Sequence, residues 1–168
     1  MSASPRLLPA LVLLSALGCA GSPHAPALRP EALSRVAAVH GGAGPWAVAG
    51  YRMGQYALQH LGLPEGSFEL EVLHHSPPQV QFACIADGAA AATGASLGKL
   101  NLSLAEVARP DGTATAFRNR ATGQSVTLKP AARFFERYLN VPREHLADAG
   151  SEVLTLPEAE VFEVVATP

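Results

Sequence analysis

Length, composition and charge bound what this chain can be. It has 168 residues, of which 48% are hydrophobic and only 15% are charged, so it is predicted to fold as one domain with a compact core. The formal net charge of −2 leaves no basic surface for nucleic acid, and no run of lysine or arginine suits an anionic membrane surface. Nucleic acid is therefore excluded as an expected partner.

The N-terminal residues have the pattern of a bacterial export signal. Arg6 is followed by the apolar run LLPALVLLSALGC, which is too short to be a stable membrane span. This pattern predicts a signal peptide over residues 1–18, with Cys19 lipidated as in a lipobox. Ala16 stands where leucine is usual, and plain secretion or an uncleaved anchor are the alternatives. We therefore expect a periplasm-facing lipoprotein of the bacterial cell envelope.

Residues 19–30 are predicted to form a proline-rich tether to a single domain over residues 31–168. If Cys19 is lipidated, Cys84 is the only other thiol and no internal disulfide forms; otherwise a Cys19–Cys84 bridge is the alternative. Besides the membrane, the expected partners are a small molecule or a metal ion, and a second copy of the chain in a homodimer.

Two helices are predicted first. Apolar residues recur at helical spacing within residues 31–40, and a second helix is predicted over residues 45–61. Pro45 suits the first position of that helix, and the GLPEG motif ends it. A stripe of small side chains follows one face of the second helix: Ala47, Gly50, Gly54 and Ala57. The stripe predicts close packing against a sheet, with a ligand groove as the alternative.

Two strands and a third helix are predicted next. Residues 67–75 alternate apolar and polar side chains, with Phe68, Leu70 and Val72 on one face. Residues 79–83 alternate again and predict a second strand, antiparallel to the first. The small residues after it, in IADGAAAATGA, predict a helix that carries Cys84 and Asp87 in its first turn.

The C-terminal half predicts more strands with helices between them. After a connection (SLGKLNLS), residues 113–128 form a hairpin that turns at residues 120–123. An amphipathic helix opens at Pro130, a short helix ends at Gly150, and residues 158–165 form a last strand. The predicted class is α+β, with a mainly antiparallel sheet packed against the long helix of small residues.

Cysteine and histidine residues are the main candidates for chemistry. A thiol in the first turn of a helix would have a lowered pKa, although a buried, inert cysteine is the alternative for Cys84. His40 precedes a glycine-rich loop at a helix start, where backbone N–H groups favour an anion. By strand parity His74 shares the face of the apolar residues and His75 points away, so at most one joins a site. Cys84, His40 and His74 together are the candidate ligands of a divalent metal such as zinc.

Three stretches resemble the FmdE family, which is named after a component of formylmethanofuran dehydrogenase. HGGAGPWAVAGYRMG is similar to the signature HGHxCPGxxxGYRxG, and CIADGAAAATGASLGKLNL is similar to a second signature that contains TGCTxGKxNL. FRNRATGQSVTL resembles the pair of strands that follows, so the likeness covers roughly residues 33 to 140. Within the matched motifs, the resemblance makes Asp87, Lys99 and Arg52 candidate ligand-binding residues.

The same resemblance shows what this chain lacks. The family has histidine where this chain has Gly42, and cysteine where it has Gly44 and Ala95. The resemblance thus implies the fold while most of the implied metal ligands are lost. It does not carry over formylmethanofuran chemistry, which belongs to a cytoplasmic enzyme of several different chains. We expect a non-catalytic protein that binds a metal weakly or a small ligand. The alternatives are a thiol-dependent enzyme using Cys84 near His40, and a scaffold protein with a vestigial site.

Overall fold

The computed structural model describes residues 25–165. The predicted signal peptide, the lipidation site Cys19 and the first part of the tether lie outside these residues. The described part contains six α-helices: α1 (Ala25–His40), α2 (Pro45–Leu61), α3 (Val80–Thr93), α4 (Ala132–Tyr138), α5 (Leu146–Val153) and α6 (Glu158–Val161). It contains five strands: β1 (Leu70–Ser76), β2 (Leu102–Glu106), β3 (Ala114–Asn119), β4 (Ser125–Pro130) and β5 (Phe162–Val165). None of these helices has the length and apolar character to cross a membrane.

The five strands form one sheet in the order β2-β1-β3-β4-β5. Strands β1 and β2 are parallel, whereas the other three pairs are antiparallel. A parallel pair needs a crossover, and α3 supplies it between β1 and β2. Helices α2 and α3 lie against each other and contact the sheet. The predicted α+β class with a mainly antiparallel sheet in a single domain is confirmed.

Helix α2 begins and ends at the predicted residues. Gly44 is its N-cap, with φ −74° and ψ 167°, and Pro45 occupies the first turn without leaving an N–H unpaired. Gly62 ends the helix with φ 63°, the left-handed conformation that glycine adopts at no steric cost. These local signals act through backbone conformation, which is why the sequence alone locates both ends.

The stripe of small residues on α2 packs against α3, so its predicted packing against the sheet is wrong. A Cβ atom added at Gly50 would overlap the carbonyl group of Ile85, and one added at Gly88 of α3 would overlap the carbonyl group of Ala47. At Gly54 an added Cβ would lie 2.8 Å from the Ala92 methyl carbon. The two helix backbones therefore approach each other more closely than side chains would permit.

The predicted strand over residues 79–83 is also wrong, because these residues belong to α3. Its buried side chains follow helical spacing, with Phe82, Ile85, Ala89 and Ala92 on the inner face. The four residues QVQF are too few to distinguish the two-residue repeat of a strand from the 3.6-residue repeat of a helix. Since the helix begins at Val80, Cys84 lies in the second turn and not in the first, so the expected effect of a helix terminus on its pKa does not apply.

The remaining elements differ from expectation at their ends. The hairpin forms as predicted, but Pro130 ends β4 instead of opening a helix. Phe68 precedes β1 and is exposed, whereas Leu70 and Val72 are buried as expected. Helix α1 begins at Ala25, within the predicted tether. Strand β2 was not predicted, because its first residues were assigned to a connection. The predicted last strand over residues 158–165 divides into α6 and β5.

Candidate functional site

Three side chains meet where the end of α1 faces α3. The Cys84 Sγ lies 3.2 Å from Nε2 of His40, and Nδ1 of the same ring lies 2.8 Å from Oδ2 of Asp87. A carboxylate on Nδ1 holds the proton there and leaves Nε2 as an acceptor facing the thiol. Cysteine, imidazole and carboxylate thus stand in line.

Local structure positions each member of this line. His40 is the last residue of α1, and Gly41 turns the chain away with φ 88°, donating its N–H to the Ala37 carbonyl at 2.8 Å. Cys84 and Asp87 are three positions apart on α3, so their side chains lie on neighbouring turns of one face. Packing of α1 against α3 then inserts the His40 ring between them.

The resting form of Cys84 is the thiol. Burial and the nearby Asp87 carboxylate raise the pKa of Cys84 to about 11. The thiol proton has two acceptors within reach, the Val80 carbonyl at 2.9 Å and His40 Nε2 at 3.2 Å. The side chain is therefore a protonated nucleophile that needs a base, and His40 is in place to act as one.

A cavity of about 750 Å³ opens on the thiol. Its walls include His40, the loop at residues 41–44, the first turn of α2, and part of α3 with Cys84. Three exposed apolar side chains also line it: Val80 (79% exposed), Leu139 (40%) and Leu146 (36%). This volume lies within the range of small-molecule sites, and apolar walls with a few polar groups are typical of them.

The polar groups around this cavity are mostly positive or neutral. The start of α2 carries a partial positive charge, and its N-cap Gly44 has no side chain to satisfy the first N–H groups. Arg143 adds a full positive charge, and no carboxylate lines the cavity within the described part of the chain. The cavity thus suits an apolar ligand with a carbonyl or carboxylate group.

The three aligned side chains do not fit a metal site. His40 presents its two nitrogens to opposite partners, so Cys84 and Asp87 cannot join it around one ion without rotating the ring. Among residues 25–165, no group of three histidine, cysteine, aspartate or glutamate side chains is arranged to hold a metal ion. Gly42 and Gly44 occupy the loop positions where the resemblance places histidine and cysteine, and they offer no side-chain ligand.

His74 is not brought into this cluster. It is fully buried on β1, where Nδ1 lies 2.9 Å from Thr115 Oγ1 and Nε2 lies 3.1 Å from the Phe82 carbonyl oxygen. Burial lowers its pKa to about 4, so the ring is neutral near pH 7. Both nitrogens thus have hydrogen-bond partners: Thr115 lies on the neighbouring strand β3, and the Phe82 carbonyl joins the sheet to α3. His74 is a core residue and not the third ligand of the expected site.

Arg52 and Lys99 also lie away from the cavity. Arg52 donates to the carbonyl groups of Val153, the last residue of α5, at 2.9 Å and of Leu156 at 2.7 Å. Lys99 donates to the Gly94 carbonyl at 2.8 Å, beyond the end of α3. Both cations are thus bound by backbone carbonyl groups at or just beyond the C-terminal ends of these helices. Of the three motif residues expected to bind a ligand, only Asp87 belongs to the cluster.

Sequence reasoning missed several residues that line the cavity. Trp46, Tyr138 and Leu139 were not candidates, although the Trp46 indole N–H donates to the Tyr138 carbonyl at 3.0 Å and joins α2 to α4. Leu146 and Arg143 come from the segment around α5. No local pattern marks them, because only the packing of α5 against the glycine-rich loop and of α4 against α2 brings them to the site.

The fold and this cluster define a class of protein: a single α+β domain in which a cysteine and a histidine meet beside a glycine-rich loop. The chain belongs to the FmdE family, whose model, described as "FmdE, Molybdenum formylmethanofuran dehydrogenase operon", matches residues 39–163. No curated protein matches the sequence significantly. The family match begins one residue before His40 and includes all three members of the cluster.

Proposed function

We propose that this protein binds a small, largely apolar ligand in the cavity beside Cys84 and His40. The observation that carries the proposal is the cavity itself, whose lining combines a few polar groups, among them His40, Cys84 and Arg143, with apolar side chains. The positive start of α2 and Arg143 favour a ligand with a carboxylate or carbonyl group. An apolar body would cover the exposed Val80, Leu139 and Leu146, which otherwise face water.

The single tryptophan makes this proposal testable, because Trp46 lines the cavity. Sodium octanoate titrated into the full chain should change the fluorescence of Trp46 in a saturable way. Gly42 and Gly98 form a matched pair, since an added Cβ would meet nothing within 4 Å at either one but only Gly42 lines the cavity. Gly42→Leu should weaken octanoate binding, and Gly98→Leu should not. If octanoate leaves the fluorescence unchanged, the protein is better described as a scaffold with a vestigial site.

A divalent metal such as zinc is the weaker ligand candidate. The orientation of the His40 ring favours a chain of hydrogen bonds over a coordination shell. Any Zn²⁺ binding should therefore be weak. Isothermal titration of the wild type and of Cys84→Ser with Zn²⁺ measures this affinity. Tight binding that depends on Cys84 would make a metal ion, and not an octanoate-like molecule, the favoured ligand.

We propose further that the protein is exported and anchored to the cell envelope through a lipid on Cys19. The support is the apolar run that ends in ALGC and the proline-rich stretch after it. In a Gram-negative host the chain should fractionate with membranes and incorporate labelled palmitate, and Cys19→Ser should abolish both. A soluble wild-type chain with an intact N-terminus would contradict the anchor.

A thiol-dependent enzyme is the second candidate function. One observation favours it: His40 stands between a thiol and a carboxylate, which is the arrangement of a nucleophile, its base and the group that orients the base. The raised pKa of Cys84 means that such an enzyme would depend on His40 to remove the thiol proton.

A further inference from the structure

The cluster contains the parts required for nucleophilic attack. The Sγ of Cys84 lies 3.2 Å from Nε2 of His40, and the Asp87 carboxylate at Nδ1 favours the tautomer in which Nε2 accepts the thiol proton. Cys84 also lines the cavity, so an electrophilic carbon bound there can reach the sulfur. Proximity of the base and access to the sulfur are thus both present.

The same cavity offers donors for a developing negative charge. The first N–H groups of any helix have no partner within the helix, and Gly44 supplies no side chain to cap those of α2. Pro45 has no N–H, so Trp46 and Ala47 carry the first free ones, and both residues line the cavity. Backbone N–H groups of this kind stabilise the oxyanion formed when a nucleophile attacks a carbonyl carbon.

The rim of the cavity indicates which carbonyl compound would enter. Val80 lies one helical turn before Cys84 on α3, and 79% of its surface is exposed. Leu139 directly follows α4 and Leu146 begins α5, and both line the same cavity as Val80. A substrate aligned with its carbonyl carbon at the sulfur would place an attached alkyl chain against these residues. Within residues 25–165 no carboxylate lines the cavity, and Arg143 supplies a positive charge there for an anionic leaving group.

We propose that Cys84 accepts an acyl group with an apolar chain from an activated ester or thioester, with His40 as general base and Asp87 as the positioning residue. The inference rests on the proposed binding function, because the ester must first occupy the cavity. His40 Nε2 takes the thiol proton as the bond between Sγ and the carbonyl carbon forms. The bond from that carbon to the leaving oxygen or sulfur then breaks, and the leaving group takes the proton from His40. The product is a thioester on Cys84 and a free alcohol, phenol or thiol.

The test uses p-nitrophenyl octanoate and the full chain. Release of p-nitrophenol should show a burst, and peptide mass mapping should place one octanoyl group on Cys84. Cys84→Ser should not form this thioester. His40→Gln keeps the thiol but removes the base, so the acylation rate should fall about 100-fold. His60→Gln is the matched control, because His60 lies exposed near the far end of α2 and should leave the rate unchanged.

The apolar rim is tested by comparing two esters. Val80→Ser should slow acylation by the octanoate ester more than acylation by p-nitrophenyl acetate, whose short chain does not reach the rim. Circular dichroism of each variant checks that it is folded. Asp87→Asn is a second test of the mechanism: it should slow acylation while leaving Cys84 and His40 unchanged.

The outcomes separate this inference from the binding proposal. Equal acylation rates in the wild type and His40→Gln would overturn it, since any exposed thiol reacts slowly with activated esters. Absence of acylation while octanoate still changes the Trp46 fluorescence would overturn the inference and leave ligand binding standing. If both acylation and the fluorescence response are absent, both proposals are wrong.

Discussion

The sulfur of Cys84 lies 3.2 Å from Nε2 of His40, although 44 positions separate the two residues in the sequence. The contact forms because α1 ends at His40 directly against α3, where Asp87 holds the far side of the ring. In the family motifs the corresponding cysteine and histidine are accompanied by further ligand-type residues. In this chain the cysteine and the histidine contact each other, and the histidine contacts the Asp87 carboxylate. This arrangement suits proton transfer from the thiol and does not fit a metal site.

The first prediction concerns the pH dependence of Cys84 alkylation. Only the thiolate reacts, and burial together with Asp87 raises the pKa of Cys84 to about 11. The rate with iodoacetamide should therefore rise about tenfold per pH unit from about pH 7 to 10. Asp87→Asn removes one cause of the raised pKa, so it should speed alkylation at pH 8 even though it slows acylation by esters.

Asp111→Asn is the control for this experiment, because Asp111 pairs with Arg109 at an exposed site and should not affect the thiol. A rate that is already constant between pH 6 and 8 would contradict the prediction. It would mean that Cys84 and His40 form a thiolate–imidazolium pair at rest.

The second prediction concerns acid stability and His74. Its pKa is lowered by burial from 6.5 to about 4, so between these values the unfolded chain binds more protons than the folded chain. Stability from this residue is present above pH 6.5 and is lost as the pH falls toward 4, by about 3 kcal/mol at 1.36 kcal/mol per pKa unit. Urea denaturation at several pH values should show a shallower pH dependence for His74→Gln than for wild type. His145→Gln changes an exposed histidine that does not contribute to the lowered pKa of His74, so it should keep the original slope.

The third prediction compares two buried threonines. Within the described part of the chain, the Thr113 hydroxyl has no hydrogen-bond partner, whereas the Thr115 hydroxyl lies 2.9 Å from Nδ1 of His74. Thr113→Val removes an unpaired polar atom and should stabilise the fold by about 1 kcal/mol. Thr115→Val leaves the imidazole nitrogen unpaired in the core and should destabilise it by about 1–3 kcal/mol. Chemical denaturation should show a higher midpoint for Thr113→Val and a lower midpoint for Thr115→Val. Equal effects of the two substitutions would contradict this prediction.

The fourth prediction tests the close approach of α2 and α3. Gly50→Ala places a methyl group against the Ile85 carbonyl, so the helices must separate, and stability should fall by about 1–3 kcal/mol or more. Helix propensity alone would favour the substitution by about 1 kcal/mol, so the sign is diagnostic. Gly98→Ala is the control, since its Cβ would meet no atom within 4 Å. An unchanged melting temperature for Gly50→Ala would show that the contact is looser than described.

The fifth prediction is a gain of metal binding. An added Cβ at Gly42 would meet no atom within 4 Å, and one at Gly44 would meet only the Leu146 side chain at 3.9 Å. The double variant Gly42→His and Gly44→Cys should therefore fold and provide two more ligands near Cys84 and His40. Co²⁺ titration should give an absorption band typical of tetrahedral thiolate coordination, which the wild type should lack. Gly41→His with Gly44→Cys should bind worse, because Gly41 has φ 88°. Equal spectra for both double variants and wild type would contradict this prediction.

Local signals in the sequence determined part of this fold. The start of α2 at Pro45, its end at Gly62 and the turn of the β3–β4 hairpin depend on backbone conformations that a few residues dictate. The burial of Leu70, Val72 and His74 followed from strand parity, because alternate side chains of a strand point to the same face of the sheet. Such features need no knowledge of what packs against them.

Only the tertiary structure decided which elements pack against each other and which partners their polar side chains have. The stretch at residues 79–83 fits a strand or a helix by pattern, and it is a helix because Gly50 and Gly88 let α3 pack closely on α2. The motif resemblance suggested that His40 and Cys84 share a site, but the orientation of the ring and the role of Asp87 depend on how α1 meets α3. Likewise, Arg52, Lys99 and His74 are chemically suited to ligands, and their partners in the folded chain are carbonyl groups and a hydroxyl. A sequence pattern encodes which face of an element is buried, whereas the partner of a polar side chain depends on contacts between residues far apart in the chain.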